Sequence, residues 1–241
     1  MLRGVDLAAH YEDKRGTYAA FGTGLVHDLA REVLAASPGG AVLDVGCASG
    51  GLLAALAPVA RRRDGVELSR GAAEAARQHA DDVVCTGLDR LEPGDLAGAL
   101  YDLVVCADVL EHLVDPADGL RRAVALVRPG GAVLVSVPNV AHWSVRRQLA
   151  GGRFDYAPSG ILDEGHLRFF TRRSLDALVR GAGLVEPRHE AVLPALRNHV
   201  PALDRAPARV RAAVEARWRA LGERRAELLG FQLVCLARRP A

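Results

Sequence analysis

The stretch "VLDVGCASGG" at residues 42–51 decides the fold of this chain. An apolar run ends in Asp44, a turn of small residues follows, and "LLAALAPVA" at 52–60 has the composition of a helix. Gly46, Ala48 and Gly50 let the main chain approach a ligand closely, and the amides that begin the helix favour an anionic or electron-rich group. The stretch therefore predicts a strand, a ligand-binding turn and a helix at the carboxyl edge of an open sheet.

Short apolar runs alternate with helical patterns between residues 25 and 193, which is typical of βαβ units and a parallel sheet covered on both faces. Strands are predicted at 41–45, 64–68, 82–86, 101–107, 132–138, 183–194 and 230–239. The spacing of Leu25, Leu29 and Val33 predicts a covering helix before the first strand. "RPGG" at 128–131 is expected to end another helix, since Pro129 stops it.

The composition is that of an ordinary soluble protein with one large domain. The 241 residues are 50% hydrophobic and 25% charged, with a formal net charge of +2, and the four cysteines have no disulfide or metal-site spacing. This charge is too small to indicate nucleic acid. No stretch approaches the roughly 18 apolar residues of a membrane span, and the N-terminus lacks the apolar core of a signal peptide. We expect a cytoplasmic protein that binds neither nucleic acid nor a membrane.

An acidic residue at the end of the second strand narrows the class of ligand. Glu67 lies about 20 residues after the turn, where a carboxylate can accept hydrogen bonds from both hydroxyls of a ribose. The turn alone also fits a variant of the dinucleotide-binding fingerprint, so an oxidoreductase that binds NAD is one alternative. The whole set is Asp44 before the turn, Glu67, "ADVLEHL" at 107–113 and "VRPGG" at 127–131.

Together these motifs resemble the class I S-adenosyl-L-methionine-dependent methyltransferases. The resemblance implies an α/β, Rossmann-like fold whose seven-stranded, mostly parallel sheet has an antiparallel last strand, with helices on both faces. It implies S-adenosyl-L-methionine as cofactor and S-adenosyl-L-homocysteine as product. The residues implied for cofactor binding are Asp44, Gly46, Cys47, Ala48, Gly50, Glu67, Leu68, Leu88, Asp89, Ala107 and Asp108.

Their implied roles follow the order of the loops. Glu67 would bind the ribose, Leu68 would pack on the adenine, and Asp108 would face the methionine end. The third-strand loop departs from the family pattern, which often has Gly-Asp at this point. Either the side chain of Asp89 reaches the adenine amine or only the backbone of Leu88 does.

A long segment after the fifth strand, "NVAHWSVRRQLAGGRFDYAPSGILDEGHLRFFT" at 139–171, is typical of a functional insertion. It resembles the ubiquinone-type and sugar- or polysaccharide-associated small-molecule branch, in which "PN..H" and "LD..HLRFFT" recur. The same segment also resembles a bacterial group in which a methyltransferase-like chain is the partner of an acyltransferase. We expect substrate contacts from Tyr11, Asn139, His142, Trp143 and Asp163.

Methyl transfer needs an aligned acceptor and often a base, but no metal, and histidine suits the base. We therefore expect His112 and His166 to be catalytic and no metal site. The alternative for His166 is a hydrogen-bonding strut, with Thr171 capping the helix that begins at Arg172.

These observations predict an enzyme that methylates a hydroxyl, or less favourably an amine, of a small-molecule acceptor such as a sugar or a natural-product intermediate. Residues 1–241 would form one methyltransferase domain, in which 1–24 are a lid and 139–171 and 194–228 are substrate-side insertions. Trp218 on an amphipathic helix permits a homodimer. The alternatives are a cofactor-binding partner subunit of an acyltransferase and an NAD-binding oxidoreductase.

Overall fold

The computed structural model describes residues 23–37, 39–96, 98–194, 196 and 201–241. The α-helices are α1 (Thr23–Ala35), α2 (Gly51–Leu56), α3 (Arg70–Ala76), α4 (Pro116–Ala125), α5 (Trp143–Ala150), α6 (Arg172–Gly181), α7 (Ala208–Arg224) and α8 (Ala226–Leu229). The strands are β1 (Ala41–Val45), β2 (Arg62–Glu67), β3 (Asp82–Cys85), β4 (Tyr101–Ala107), β5 (Val127–Pro138), β6 (Val185–Val192) and β7 (Gln232–Arg238). Short 3-10 turns cover Pro93–Leu96, Leu110–His112 and Pro201–Arg205.

The seven strands form one sheet in the order β3-β2-β1-β4-β5-β7-β6. The first five strands of this order are parallel, whereas β7 runs antiparallel to both of its neighbours, β5 and β6. The order reverses direction at β1, where β4 pairs on the side opposite β2. The carboxyl ends of β1 and β4 therefore open into the crevice where ligands bind in such sheets. This architecture confirms the predicted fold class.

Neighbouring residues of each strand point to opposite faces of the sheet, and packed helices bury both faces. Leu103 and Val104 of β4 are completely buried in two different hydrophobic clusters. The cluster on the Leu103 side includes Leu29 and Val33 from α1, which confirms the predicted covering helix. On the Val104 side, Leu120 of α4 lies in the other cluster.

The predicted helix end at "RPGG" is wrong. Helix α4 ends at Ala125 and is capped by Leu126, while Val127 already pairs with Tyr101 at the start of β5. The register shifts between Tyr101 and Leu103, so residues 128–131 lie in an irregular part of the strand. A proline is tolerated there, since its missing N–H costs no ladder hydrogen bond.

The insertion, residues 139–171, begins at the end of β5 and returns to the sheet before α6. Its two ends are joined by a hydrogen bond from the Val140 amide to the Phe170 carbonyl, 2.9 Å long. Thr171 then caps α6 in a reciprocal hydrogen-bonded box with Ser174, which confirms the predicted cap. Because its ends are fixed in this way, the insertion is held over the carboxyl edge of the sheet.

Among the described residues, none of the helices is both long enough and apolar enough to span a membrane.

Candidate active site

The end of β1 and the turn that follows it, residues 44–50, are here called the cofactor turn. Main-chain hydrogen bonds hold this turn against β2. The amides of Gly46 and Cys47 both donate to the carbonyl of Val66, at 2.7 and 3.1 Å. Gly46 has a φ of 73°, and a Cβ at this position would lie 2.7 Å from Cγ2 of Val109. Any other residue would meet both backbone strain and a clash. The glycine is therefore needed to bring the turn close to the β4 loop.

Glu67 lies beneath the cofactor turn and is 8% exposed. Its Oε2 accepts a hydrogen bond from the Ala48 amide at 2.9 Å, and its Oε1 accepts one from the Ser69 amide at 2.8 Å. A carboxylate oxygen has two lone pairs, so each oxygen can accept a second hydrogen bond from a ligand. The residue thus orders the turn and keeps one free acceptor position on each carboxylate oxygen.

Asp44 is a second buried carboxyl at this point. Burial, together with the neighbouring charge of Glu67, raises the pKa of Asp44 to about 8. Both causes penalise the carboxylate, so a bound cation would stabilise it. Burial also raises the pKa of the Cys47 thiol, which stays protonated and is not a nucleophile. The cofactor turn is therefore an acidic site that favours a positively charged ligand.

The loop after β3 carries both of the groups that are expected to contact the adenine. The side chain of Leu88 is buried in the core, at 3% exposure, so only its backbone is offered to a ligand. The carboxylate of Asp89 is 62% exposed, and its Oδ1 lies against Gly87. Leu68 is half-buried on the neighbouring β2 loop. The Asp89 carboxylate and the Leu88 backbone therefore both stay candidates for the adenine contact.

Beyond β4, which ends at Ala107, Asp108 adopts a φ of 56° that is unusual for a residue other than glycine. Its Oδ1 accepts hydrogen bonds from the hydroxyl of Ser136 and the amide of Gln232. Burial raises the pKa of Asp108 to about 6, although these two hydrogen bonds oppose the shift. The strained backbone and the fixed carboxyl orient the loop that carries His112.

His112 and His166 meet edge to face, with their ring centroids 4.9 Å apart. We call them the histidine pair. The Nδ1 atom of His112 lies 3.0 Å from the Gly165 carbonyl, and that of His166 lies 3.0 Å from the Ile161 carbonyl. Both side chains are buried, at 6% exposure each. The structure thus brings the two predicted catalytic residues together.

Glu111 joins the histidine pair, although the sequence analysis did not select it. It is 1% exposed, and neither of its carboxylate oxygens has a hydrogen-bond partner among the described residues. Burial, and then the charge of Asp108, raises the pKa of Glu111 well above its usual range. Glu111, His112 and His166 offer ligand atoms within 4.8 Å of one another, so this set could hold a divalent cation. Its position beside His112 in "LEHL" is the signal that could have revealed it.

The predicted substrate residues lie at different depths. Asn139 and Asp163 are completely buried. The Asn139 amide donates to the carbonyls of Glu227 and Gly230, and Oδ1 of Asp163 accepts from the Gly165 amide at 2.7 Å. Both residues shape loops through these bonds to main chain, and their direct contact with substrate stays a prediction.

His142 is also buried, with Nδ1 lying 2.8 Å from the Ser144 hydroxyl at the start of α5. Trp143 is half-buried, and the guanidinium of Arg147 lies over its ring. Tyr11 lies outside the described residues. Of the predicted substrate residues that the structure describes, Trp143 therefore offers the most accessible surface.

Three aromatic residues of the insertion, which the sequence analysis did not single out as contacts, form a cluster that reaches His166 through Phe169. Phe154 and Tyr156 are exposed, and the ring centroids of Phe154 and Phe169 lie 5.3 Å apart. Phe169 is also 6.4 Å from His166 between ring centroids. This aromatic cluster of Phe154, Tyr156 and Phe169 provides an apolar surface beside the histidine pair.

The sheet order, the antiparallel β7, the glycine turn after β1 and the acidic end of β2 are those of the class I S-adenosylmethionine-dependent methyltransferase fold. More particularly, the chain belongs to the methyltransferase-domain family, whose model matches residues 18–185.

Relatives with known names agree with this assignment. The chain is 30% identical over 150 residues to a ubiquinone biosynthesis O-methyltransferase of Aeromonas salmonicida, covering 60% of this chain and 62% of the relative. It is 33% identical over 149 residues to the protein of the same name from Thiobacillus denitrificans, covering 59% and 63%. The chain thus spans less than two thirds of the length of these relatives.

Solved structures share the fold at low sequence identity. A methyltransferase of Thermotoga maritima described as S-adenosylmethionine-dependent gives a TM-score of 0.59 at 18% identity, over 96% of this chain and 99% of that one. The magnesium protoporphyrin IX methyltransferase of Synechocystis, solved with bound S-adenosylmethionine, gives 0.59 at 14% identity, over 99% and 100%. These similarities support the fold.

Proposed function

We propose that the protein transfers the methyl group of S-adenosylmethionine to a hydroxyl group of a small molecule. The observation that carries the proposal is that His112 on the β4 loop meets His166 of the insertion, while the same loop packs against the acidic cofactor turn at Gly46 and Val109. This arrangement supplies a site for a cationic methyl donor and a base for a hydroxyl within one crevice.

The charges of the cofactor turn match the proposed cofactor. S-adenosylmethionine carries a sulfonium and an ammonium group, and either cation would oppose the burial and the repulsion from Glu67 that raise the pKa of Asp44. The two oxygens of Glu67 are oriented by the amides of Ala48 and Ser69 toward a role as ribose acceptors. Leu68, Leu88 and Asp89 would then surround the adenine.

The histidine pair would serve the acceptor. Methyl transfer displaces the sulfur in line, so the acceptor oxygen must be aligned with the methyl group and must lose its proton. His112 and His166 lie together, and His112 is on the loop that begins at Asp108, at the methionine end of the proposed cofactor site. The named relatives methylate oxygen by their description, which favours a hydroxyl over an amine.

The insertion would form the acceptor side of the site. Trp143 and the aromatic cluster offer apolar surface near His166, as small-molecule pockets commonly do. The predicted lid, residues 1–24, lies outside the described residues apart from Thr23 and Gly24. We propose that 194–228 complete the acceptor side within one domain of residues 1–241. A homodimer and a cytoplasmic location belong to the same proposal.

The decisive experiment is a transfer assay with methyl-deuterated S-adenosylmethionine and a panel of phenols, sugars and amines, read by mass spectrometry. The proposal predicts a deuteromethyl group on the oxygen of at least one hydroxyl compound. His112→Gln is the matched variant, because it keeps a polar side chain of similar reach but removes the base. Transfer that is equally fast in this variant would contradict the role of the histidine pair.

Two other outcomes would identify a different protein class. Stoichiometric recovery of an acyltransferase in a pull-down, with no methylation across the panel, would make the chain a partner subunit. Binding of NAD in place of S-adenosylhomocysteine would indicate an oxidoreductase. Either result would refute methyl transfer as the activity of this chain.

A further inference from the structure

The turn at residues 160–166 of the insertion contacts both histidines of the pair through its main chain. Its Gly165 carbonyl accepts from Nδ1 of His112, and its Ile161 carbonyl accepts from Nδ1 of His166, each at 3.0 Å. A carbonyl oxygen only accepts hydrogen bonds, so Nδ1 carries the proton in both rings. In the neutral imidazole the other nitrogen, Nε2, is then the basic atom.

Asp163 lies at the centre of this turn and is completely buried. Its Oδ1 accepts a hydrogen bond from the Gly165 amide at 2.7 Å, which is the pattern of an Asx turn. Its backbone amide donates to the Gly160 carbonyl, and its backbone carbonyl accepts from the His166 amide at 3.0 Å. These bonds fix the peptide unit that presents the Gly165 carbonyl and close the turn that contains Ile161.

A second set of bonds docks this turn on the β4 loop. The amides of Leu167 and Arg168 both donate to the backbone carbonyl of Glu111, at 2.8 and 3.0 Å. The turn can therefore hold His112 at a set distance, although His112 lies on another element of the fold. A change in the turn would reach His112 through the Gly165 carbonyl.

We propose that Asp163 is a positioning residue: it closes the turn whose carbonyls set the Nδ1–H tautomer of both histidines, and its carboxylate acts on His112 through the Gly165 amide. This proposal rests on the proposed function for its catalytic meaning, but the tautomers themselves do not depend on that function. The Asp163 carboxylate acts through Gly165 and does not contact the acceptor. This role replaces the direct substrate contact that the sequence predicts for this residue.

The experiment is long-range ¹H–¹⁵N NMR of the histidine rings in the full chain, recorded with EDTA so that no metal occupies a ring nitrogen. The signals of the pair are assigned from His112→Gln and His166→Gln. In the unaltered protein we expect the Nδ1–H form at both positions. An Nε2–H form in either ring would overturn the proposal without any variant of Asp163.

Three variants test the role of the carboxylate. Asp163→Asn keeps an oxygen that accepts from the Gly165 amide, and we expect the Nδ1–H form and turnover within a few-fold of the original. Asp163→Ala removes the acceptor, and we expect the His112 signals to move toward the Nε2–H form. Turnover should then fall about 10- to 100-fold, as for other groups that orient a histidine, with little change in cofactor affinity. Glu164→Ala, at the exposed neighbouring position, is the control and should change neither.

A purely structural role would give a different pattern. Asp163→Ala would then lower the melting temperature but leave both rings in the Nδ1–H form, and this result would overturn the proposal. If the tautomer shifts as expected while no variant methylates any acceptor, the positioning role stands and the proposed function fails. The two claims are therefore tested separately.

Discussion

The cofactor turn and the histidine pair lie at the same edge of the sheet but are built in different ways. The cofactor turn is made by main-chain amides and by Glu67, whose partner Ala48 is 19 residues away. The histidine pair depends on a turn of the insertion, since 53 residues separate His112 from Gly165. The first region is encoded locally, whereas the second exists only after the insertion has docked. We therefore expect cofactor binding and catalysis to respond to different substitutions.

The largest effect should come from His112→Ala. Loss of a positioned base lowers turnover by about 100- to 10,000-fold, and the affinity for S-adenosylhomocysteine should stay within about threefold. His166→Ala should also lower turnover, and because the rings touch, the double variant should lose less than the product of the two single losses. Single-turnover kinetics and calorimetry measure the two quantities.

If His166 is instead a hydrogen-bonding strut, His166→Ala should affect folding stability as well as turnover. If His166→Ala loses folding stability in proportion to its loss of turnover, the ring supports the insertion and does not take part in chemistry.

Glu67→Ala should produce the next largest effect, on binding. The substitution removes two ribose acceptors and leaves the amides of Ala48 and Ser69 without their partner, which together should weaken S-adenosylhomocysteine binding about 100-fold. Glu67→Gln is the control, because its single amide oxygen preserves part of this function and should give an intermediate affinity. Unchanged affinity in Glu67→Ala would remove the cofactor turn from the proposed site.

Asp44→Asn should separate stability from binding. A carboxyl whose pKa is raised by folding contributes stability below its ordinary pKa and loses that stability as pH rises toward the folded value of about 8. The variant without ligand should therefore gain stability over the original protein as pH rises from about 4 to 8, reaching about 5 kcal/mol, since each unit of pKa shift corresponds to about 1.4 kcal/mol. Thermal unfolding across this pH range tests the prediction, and a constant difference would contradict it.

The same variant should bind the cofactor more weakly, by about tenfold, because a neutral amide does not attract a cation as a carboxylate does. In the original protein, affinity should rise as pH increases toward 8, since binding favours the ionised form of Asp44. Asp44→Asn should lack this dependence. Calorimetry at several pH values provides the comparison.

Thr171→Ala should have the smallest effect. Loss of the cap of α6 is expected to cost about 1 kcal/mol and to lower the melting temperature by a few degrees, with S-adenosylhomocysteine affinity unchanged. Thr171→Ser keeps the capping oxygen and should restore stability. A large loss of cofactor affinity in Thr171→Ala would mean that the two regions are coupled, contrary to the comparison above.

Local sequence patterns predicted most of the fold. The predicted β1 and β4 have their observed bounds, because each apolar run is limited by residues that end a strand. The end of α4 was misplaced, since the irregular pairing between β4 and β5 accommodates Pro129 in a way that only the neighbouring strand reveals. Tertiary pairing thus corrected the prediction where local rules favoured a helix end.

The site divides in the same manner. The spacing in the sequence was enough to select Asp44, Gly46 and Glu67, because the turn and the next strand set their positions. The burial of Asn139 and Asp163 could not be predicted from the sequence, since it depends on how the insertion packs. Glu111 was missed because a lone glutamate beside a histidine resembles a solvated residue until burial shows otherwise.

The central claim is that the cofactor turn binds S-adenosylmethionine independently of the histidine pair that uses it. Calorimetric titration of S-adenosylhomocysteine into the original protein and into the double variant His112→Gln, His166→Gln tests it most directly. We predict a dissociation constant of about micromolar order for both proteins, within threefold of each other, and no binding of NAD. Absence of S-adenosylhomocysteine binding to the original protein, or its loss in the double variant alone, would contradict the claim.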